Sequence, residues 1–185
     1  MTARECLKQP ADQRNLYLVG FMGSGKSAVG RSVASELGMR FIDSDVAIEA
    51  ETGLSVSAIF DQFGEAHFRE LEQSFIERGH PDCGCVVACG GGLITQEGMA
   101  DQLRDRGVVI CLFASVDTIL QRTRANAKRP LLNVANPRAQ IEKLLEERRP
   151  FYQQAGIAVS TDGRSLPEVV DHVAHKQMTT PRSRS

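Results

Sequence analysis

The 185-residue sequence lacks a long apolar run. Its hydrophobic stretches are short, whereas a helix that spans a membrane needs about 20 consecutive apolar residues. Residues 1–14 are polar, include Pro10 and do not contain the apolar core of a secretion signal. We therefore expect a cytoplasmic protein that does not bind a membrane, with residues 1–14 forming a poorly ordered leader.

An excess of charge of either sign is also missing. The 22 Lys and Arg residues nearly balance the 23 Asp and Glu residues, and the formal net charge is −1. Surfaces that bind nucleic acid or anionic lipid depend on clustered positive charge. The composition therefore gives no reason to predict either kind of partner.

A cysteine-based metal site is not indicated. The five cysteines are an odd number, and Cys83 and Cys85 have C-x-C spacing without a second Cys or His pair nearby. Cys89 and Cys111 lie in apolar runs, where a free cysteine behaves as a small hydrophobic residue. We expect reduced thiols that take no part in the chemistry.

The segment from Gly20 to Ser27, GFMGSGKS, matches the pattern G-x-x-x-x-G-K-[ST] at every required position. It follows the apolar run Leu16–Val19, a predicted strand, and precedes a helical pattern from Ala28 to Leu37. This arrangement is a P-loop, in which backbone N–H groups and a helix N-terminus bind phosphate. Lys26 can reach the β- and γ-phosphates of ATP, and the Ser27 hydroxyl can coordinate Mg²⁺.

Strand and helix patterns alternate along the chain. Apolar segments predict five strands, at residues 16–19, 41–42, 85–89, 108–112 and 157–160. Because parallel strands need helix-length connections, the alternation predicts a parallel sheet with helices on both faces. Ligands bind such sheets at the carboxyl ends of the strands. The P-loop, Asp43-Ser44-Asp45, Gly90-Gly91-Gly92 and residues 162–164 would meet there.

Glycine and proline predict several boundaries. The helical pattern of residues 55–78 is expected to break at Gly64, and the helix that starts at Pro137 is expected to end at Arg149, before Pro150. Residues 124–136 are polar and basic, without periodicity, and are predicted to form a mobile loop. The chain from Gln177 to residue 185 is predicted to be a disordered tail, which leaves residues 15–176 as a single domain.

The acids that could serve a phosphate site follow the second strand. The strands at 85–89 and 108–112 end without a carboxylate, and the Asn-Lys-x-Asp motif of guanine-binding GTPases is absent. Asp43 and Asp45 point to the same side of an extended segment, so one could face Mg²⁺ and the other an acceptor hydroxyl. An Asx-rich turn that caps a helix is the alternative.

The full set of motifs resembles the shikimate kinase family. In order, the motifs are GFMGSGKS, DSD, IFDQFGEAHFRELE, GGG, RPLL and ERRPFY, between about Leu16 and Val173. The resemblance implies an α/β fold with three αβα layers, similar to P-loop NTPases and nucleoside-monophosphate kinases. It also implies transfer of the γ-phosphoryl group of ATP to the 3-hydroxyl of shikimate, with Mg²⁺, in chorismate and aromatic amino-acid biosynthesis. We expect a monomer.

The resemblance also implies roles for individual residues. Asp45 would bind the acceptor hydroxyl as base or orienting group, and Ser27 and, through water, Asp43 would hold the metal. The substrate carboxylate would be bound by Arg69 and Arg148, and the ring by the backbone of Gly91. Residues 44–79 would form the substrate-binding region.

Positive charge and backbone N–H groups would bind the nucleotide. Residues 124–136 would be a lid that carries Arg129, a catalytic residue together with Lys26 and Asp45. The nucleotide-binding residues implied by the resemblance are Gly23, Ser24, Gly25, Lys26, Ser27, Ala28, Arg122, Arg129 and Arg164.

Some of these assignments have simpler alternatives. Arg69 lies in a charged helical pattern and could pair with a Glu of its own helix, and spacing alone does not separate Arg148 from Arg149. Cys89 stands where the family often has Thr or Ser, and we expect it to be buried. Two other functions also fit a P-loop: a kinase for another small acid or polyol such as gluconate, and a nucleotide-binding module without catalysis.

Overall fold

The structure is a computed structural model that describes residues 13–123 and 136–181. Within these ranges the strands form one sheet, in which every neighbouring pair is parallel. The strands are β1 (Asn15–Val19), β2 (Arg40–Asp43), β3 (Cys85–Ala88), β4 (Gly107–Phe113) and β5 (Ile157–Ser160). Their order is β2-β3-β1-β4-β5. The predicted five-stranded parallel sheet is confirmed, and β1 lies at its centre.

Helices connect successive strands. In the described part of the chain they are α1 (Lys26–Glu36), α2 (Ser44–Thr52), α3 (Val56–Arg78), α4 (Met99–Arg106), α5 (Val116–Thr123), α6 (Pro137–Ala155) and α7 (Leu166–Thr179). A short 3-10 helix, Leu93–Thr95, follows the triple glycine. Each connection between parallel strands is therefore helical, as the alternation of patterns predicts.

The helices cover both faces of the sheet, because successive strand residues point in opposite directions. Leu16 and Leu18 of β1 belong to a core that includes Val33 of α1 and Val173 of α7. The neighbouring positions of β1 belong to a second core, with residues of α2 to α6. This arrangement is the predicted three-layer αβα architecture.

Helix α3 changes direction where the sequence predicts a break. Gly64 has a φ of 82° and a ψ of 173°, outside the helical region, although helical hydrogen bonding continues on both sides. A positive φ is accessible to glycine without a steric penalty. Helix α3 therefore consists of two helical halves joined at Gly64.

Helix α6 is longer than the sequence predicts. The predicted end at Arg149 is wrong, because the helix continues through Pro150 to Ala155. Proline removes one helical hydrogen bond, but Tyr152 is 2% exposed and Ala155 is fully buried. Burial of these two residues holds the last turns in place and offsets the missing bond.

Helix α7 also continues past a predicted boundary. It ends at Thr179, beyond the predicted start of the tail at Gln177. Gln177 is fully buried, and its Nε2 donates to the Arg14 carbonyl at 2.6 Å. Residues 1–12, 124–135 and 182–185 lie outside the described residues, and with them most of the predicted leader, nearly all of the predicted lid and the end of the tail.

The cysteines differ in state. Cys83 is disulfide-bonded, so the expectation of reduced thiols is wrong for this residue. Cys85, Cys89 and Cys111 are free and buried, with Cys89 only 1% exposed. The expected burial of Cys89 is confirmed. None of the described helices combines the length and apolar character needed to cross a membrane.

Candidate active site

A cavity of about 550 Å³ opens where β1, β2 and β3 end. This volume is within the range of small-molecule sites. Most of the residues predicted to form the site line it, namely Gly23, Gly25, Lys26, Ser27, Ala28, Asp43, Asp45, Arg69, Gly91, Arg122 and Arg148. Ser24 and Arg164 do not line the cavity, and Arg129 lies outside the described residues.

The P-loop forms the phosphate end of this cavity. Gly25 is the N-cap of α1 with a φ of 102°, and Gly23 has a φ of 78°, so both occupy the left-handed region that favours glycine. The first turn of α1 contains no acidic residue. No acidic side chain of α1 itself opposes the partial positive charge of the helix N-terminus, which favours an anion there.

Lys26 extends across the loop. Its Nζ donates to the carbonyls of Gly20 at 2.8 Å and Phe21 at 3.0 Å. The neighbouring Ser24 is fully buried, its N–H donates to Phe21, and its hydroxyl has no hydrogen-bond partner among the described residues. Lys26 lines the cavity, whereas Ser24 is buried and does not line it.

Asp43 ends β2 and Asp45 lies in the first turn of α2, and both line the cavity. The predicted alternative of a helix cap is confirmed for Asp43. Oδ2 of Asp43 accepts from the Ser27 hydroxyl at 2.7 Å, and its Oδ1 accepts from the N–H of Asp45 at 3.2 Å, which caps α2. Burial, and next the charge of Asp43, raise the pKa of Asp45 above its ordinary value, while Lys26 opposes the shift. Asp45 is thus a carboxylate with enhanced affinity for a proton.

Arg69 is held from two sides by acids of its own helix, α3. Its guanidinium lies 2.6 Å from Glu65 and 2.5 Å from Glu72. Glu72 is fully buried, and burial raises its pKa to about 7 although Arg69 opposes the shift. A Cβ on Gly92 would lie 2.3 Å from Nη2 of Arg69, so the glycine leaves the space that the guanidinium occupies. The predicted helix ion pair and the cavity position therefore occur together.

Arg148 and Arg149, which are adjacent on α6, have different surroundings. Arg148 lines the cavity, donates from Nη1 to the Gly91 carbonyl at 3.3 Å, and places its Cζ 5.9 Å from the centroid of the Phe21 ring. Arg149 is exposed and pairs with Glu146 at 2.9 Å. Only Arg148 can reach a ligand in the cavity.

Of the two described arginines predicted to bind the nucleotide, Arg122 lines the cavity beside the P-loop and Arg164 does not. Nη1 of Arg122 donates to the Thr161 hydroxyl at 2.9 Å and to the Gly23 carbonyl at 3.3 Å, which links α5, the end of β5 and the P-loop. Arg164 is exposed, in the loop before α7, and does not reach the cavity.

Comparison with known proteins identifies the family. A family model described as "Shikimate kinase" matches residues 22–178. The chain belongs to the shikimate kinase family. A shikimate kinase of Halorhodospira halophila is 49% identical over 167 residues, which cover 90% of this chain and 94% of the relative. One from Thermodesulfovibrio yellowstonii is 40% identical, over 86% of this chain and 92% of the relative.

Solved structures agree with this membership. A shikimate kinase from Acinetobacter baumannii, solved in complex with shikimate, matches with a TM-score of 0.82 and 36% identity, over 93% of this chain and 94% of that one. A gluconokinase from Sinorhizobium meliloti matches with a TM-score of 0.59 at 19% identity, over 91% and 93% of the two chains. The gluconokinase therefore shares the fold alone.

Two residues of the site were not singled out from the sequence. Glu72, which binds Arg69, and Tyr152, whose hydroxyl donates to the Gly91 carbonyl at 2.8 Å, both lie inside motifs shared with the family. The helical i,i+3 spacing of Arg69 and Glu72 was an available signal. No local pattern connects Tyr152 with Gly91, since 61 residues separate them.

Proposed function

We propose that the protein transfers the γ-phosphoryl group of ATP to the 3-hydroxyl of shikimate, with ADP and shikimate 3-phosphate as products. The observation that carries this proposal is one cavity lined by a P-loop, by Asp43 and Asp45, and by arginines from two different helices. The P-loop suits phosphates, the aspartates suit a metal ion and a hydroxyl, and the arginines suit a carboxylate. Membership of the shikimate kinase family supports the same reaction.

The phosphate end acts through positive charge. N–H groups between Gly23 and Ala28, apart from that of Ser24, bind the ATP phosphates together with the N-terminus of α1. Lys26 exchanges its bonds to loop carbonyls for bonds to phosphate oxygens. Phosphoryl transfer leaves little covalent work for the protein, so stabilising charge on the transferring group is the main contribution. Lys26 is placed for that task.

The residues present fit a magnesium ion. No group of three or more His, Cys, Asp and Glu side chains that could enclose a metal occurs among the described residues. Mg²⁺ is commonly held by only one or two protein oxygens together with phosphate and water, and Ser27 with Asp43 offers such a pair. When bound, the ion would neutralise phosphate charge.

Asp45 accepts the proton of the attacking hydroxyl. The 3-hydroxyl oxygen of shikimate attacks the γ-phosphorus, its proton passes to the Asp45 carboxylate, and the bond from the γ-phosphorus to the bridging oxygen breaks to release ADP. The raised pKa of Asp45 makes it a better proton acceptor than an ordinary aspartate.

Arg69 and Arg148 bind the carboxylate of the substrate. Arginine suits this task because its planar guanidinium presents parallel N–H donors to a carboxylate. Arg69 is fixed by Glu65 and Glu72, and Arg148 approaches from α6 across the cavity. Two donors from different helices orient the ring so that one hydroxyl faces Asp45.

The nucleotide side and the lid complete the proposal. Arg122 lies beside the P-loop, where it can contact the adenosine part of ATP. Arg129 and the lid at 124–136 keep their proposed roles from the family resemblance. We also propose a cytoplasmic monomer, and light scattering after gel filtration would test the monomeric state.

ADP release measured with and without shikimate tests the function. We expect Mg²⁺-dependent ADP release that rises strongly with shikimate, and no comparable rise with gluconate. Asp45→Asn is the matched control, since it keeps the shape of the side chain but accepts a proton poorly. Equal stimulation by gluconate would support the wider small-acid kinase, and ATP binding without turnover would support a silent nucleotide-binding module.

A further inference from the structure

We propose that Tyr152 is a positioning residue, which fixes the Gly91 carbonyl and thereby leaves Arg148 available to the substrate carboxylate. The inference rests on the proposed function and assigns a task to a buried hydroxyl that the reaction itself does not use. Tyr152 lies one helical turn after Arg148 on α6, so the two side chains leave the helix on the same face.

Both side chains converge on one oxygen. The Tyr152 hydroxyl donates to the Gly91 carbonyl at 2.8 Å, and Nη1 of Arg148 approaches the same oxygen at 3.3 Å. A carbonyl oxygen has two lone pairs and can accept both bonds. The shorter bond belongs to the tyrosine, and the longer contact leaves the guanidinium less tightly held by the backbone.

The Gly91 backbone in turn lies against the P-loop. A Cβ on Gly91 would be 3.4 Å from the N–H nitrogen of Met22 and 3.6 Å from the Gly20 carbonyl oxygen. The Cζ of Arg148 also lies 5.9 Å from the Phe21 ring centroid. A movement of the Gly91 carbonyl therefore alters the contacts of Gly91 with the P-loop and with Arg148.

The hydroxyl is a permanent donor. Tyr152 is 2% exposed, and burial raises its pKa to about 12, with nearby Arg148 opposing the shift. It therefore remains protonated across the neutral range. Without it, Arg148 is the remaining side-chain donor to the Gly91 carbonyl among the described residues, and the guanidinium is drawn to the backbone instead of the substrate.

Tyr152→Phe tests the inference, because it removes the hydroxyl and keeps the ring. We expect the KM for shikimate to rise about threefold to tenfold, as expected for one lost hydrogen bond. The KM for ATP and kcat should stay within twofold. The rise should be equal from pH 6 to 8, since the hydroxyl does not titrate there.

The second tyrosine of the chain supplies a matched control. Tyr17 is fully buried on β1, and its hydroxyl accepts from Asn15 at 3.3 Å, away from the cavity lining. Tyr17→Phe should therefore cost stability and leave the KM for shikimate unchanged. Thermal unfolding of both variants, with kinetics measured well below either midpoint, keeps the comparison on folded protein.

A double-mutant cycle with Arg148→Lys sharpens the test. If Tyr152 acts through Arg148, Tyr152→Phe should weaken shikimate binding less in the Arg148→Lys background than in the wild type. Unchanged KM in Tyr152→Phe, equal rises in both tyrosine variants, an equal rise for ATP, or additive effects in the cycle would each overturn the inference. Lack of shikimate-dependent turnover in the wild type would instead overturn the proposed function.

Discussion

The two ends of the cavity are built in different ways. The phosphate end comes from one continuous segment, Gly20 to Ser27, and presents the backbone of that segment and the N-terminus of α1. The proposed acid-binding end is assembled from α3, α6 and the loop after β3, and presents the charged side chains of Arg69 and Arg148. Backbone geometry thus sets the first end, whereas long-range packing and buried ion pairs set the second.

The comparison predicts that the largest loss of turnover follows a change at the phosphate end. Lys26→Ala should fold, because Lys26 bonds to loop carbonyls and does not fill the core. Its kcat should fall about 10²-fold to 10³-fold, since the stabilising charge acts on the transferring group. Steady-state kinetics at saturating ATP and shikimate measure this, and a variant that retained most of its kcat would contradict the assignment.

The second prediction concerns Glu72, at the proposed acid-binding end, which should make the stability of the protein depend on pH. Burial raises the pKa of Glu72 from 4.5 to about 7 in the folded protein. The folded state therefore holds this proton more tightly than the unfolded state. The contribution of Glu72 to stability is greatest below pH 4.5 and is lost as the pH rises toward 7, by about 3 kcal/mol.

Glu72→Gln removes this titration. The free energy of unfolding of the variant minus that of the wild type should grow between pH 5 and 8 by up to about 3 kcal/mol. Asp45 is present in both proteins, but its charge contributes to the raised pKa of Glu72, so the comparison is made in an Asp45→Asn background to keep its own titration out of the difference. Urea unfolding at several pH values provides the measurement, and parallel curves would show that Glu72 does not titrate as inferred.

The neighbouring arginines of α6 offer an internal control for the carboxylate contact. Arg148→Ala should weaken shikimate binding about tenfold to a hundredfold and leave ATP binding unchanged. Arg149→Ala should change either affinity less than twofold, because Arg149 forms an exposed pair with Glu146. Calorimetry with shikimate and with its carboxamide would measure the discrimination, and equal binding of the two ligands by the wild type would exclude a carboxylate clamp.

The smallest expected effect concerns a side chain at the nucleotide side. Thr161→Val removes the hydroxyl that accepts from Arg122 at 2.9 Å. We expect ATP binding to weaken about twofold to tenfold, with shikimate binding unchanged. Fluorescent-nucleotide titration would detect the change. Equal affinity for ATP in both proteins would mean that the Arg122 contact with Thr161 does not orient the arginine.

The contrast between the two ends also explains how far the sequence could predict the structure. The P-loop, the five strands and the break at Gly64 depend on local patterns, and the structure contains all of them. The end of α6 could not be placed locally, because burial of Tyr152 and Ala155 outweighs the effect of Pro150. Local patterns mark where the chain can break, and tertiary packing decides whether it does.

The site shows the same limit. Spacing could not choose between Arg148 and Arg149, since only the orientation of α6 places the first over the cavity. Ser24 belongs to the P-loop motif, yet it is fully buried and does not line the cavity. A motif therefore identifies the backbone that binds phosphate, but it does not give the direction of each side chain.

The central position of β1 has a consequence for how the protein is made. Its hydrogen-bonded partners, β3 and β4, begin only at residues 85 and 107, and β2, the next strand along the chain, pairs with β3 instead. On the ribosome the GFMGSGKS segment emerges before both strands that pair with β1. Because β1 pairs with strands that are distant in sequence, its contacts are non-local, and non-local contacts are associated with slower folding. The strand that leads into the P-loop can therefore pair with both of its neighbours only after β4 has been synthesised.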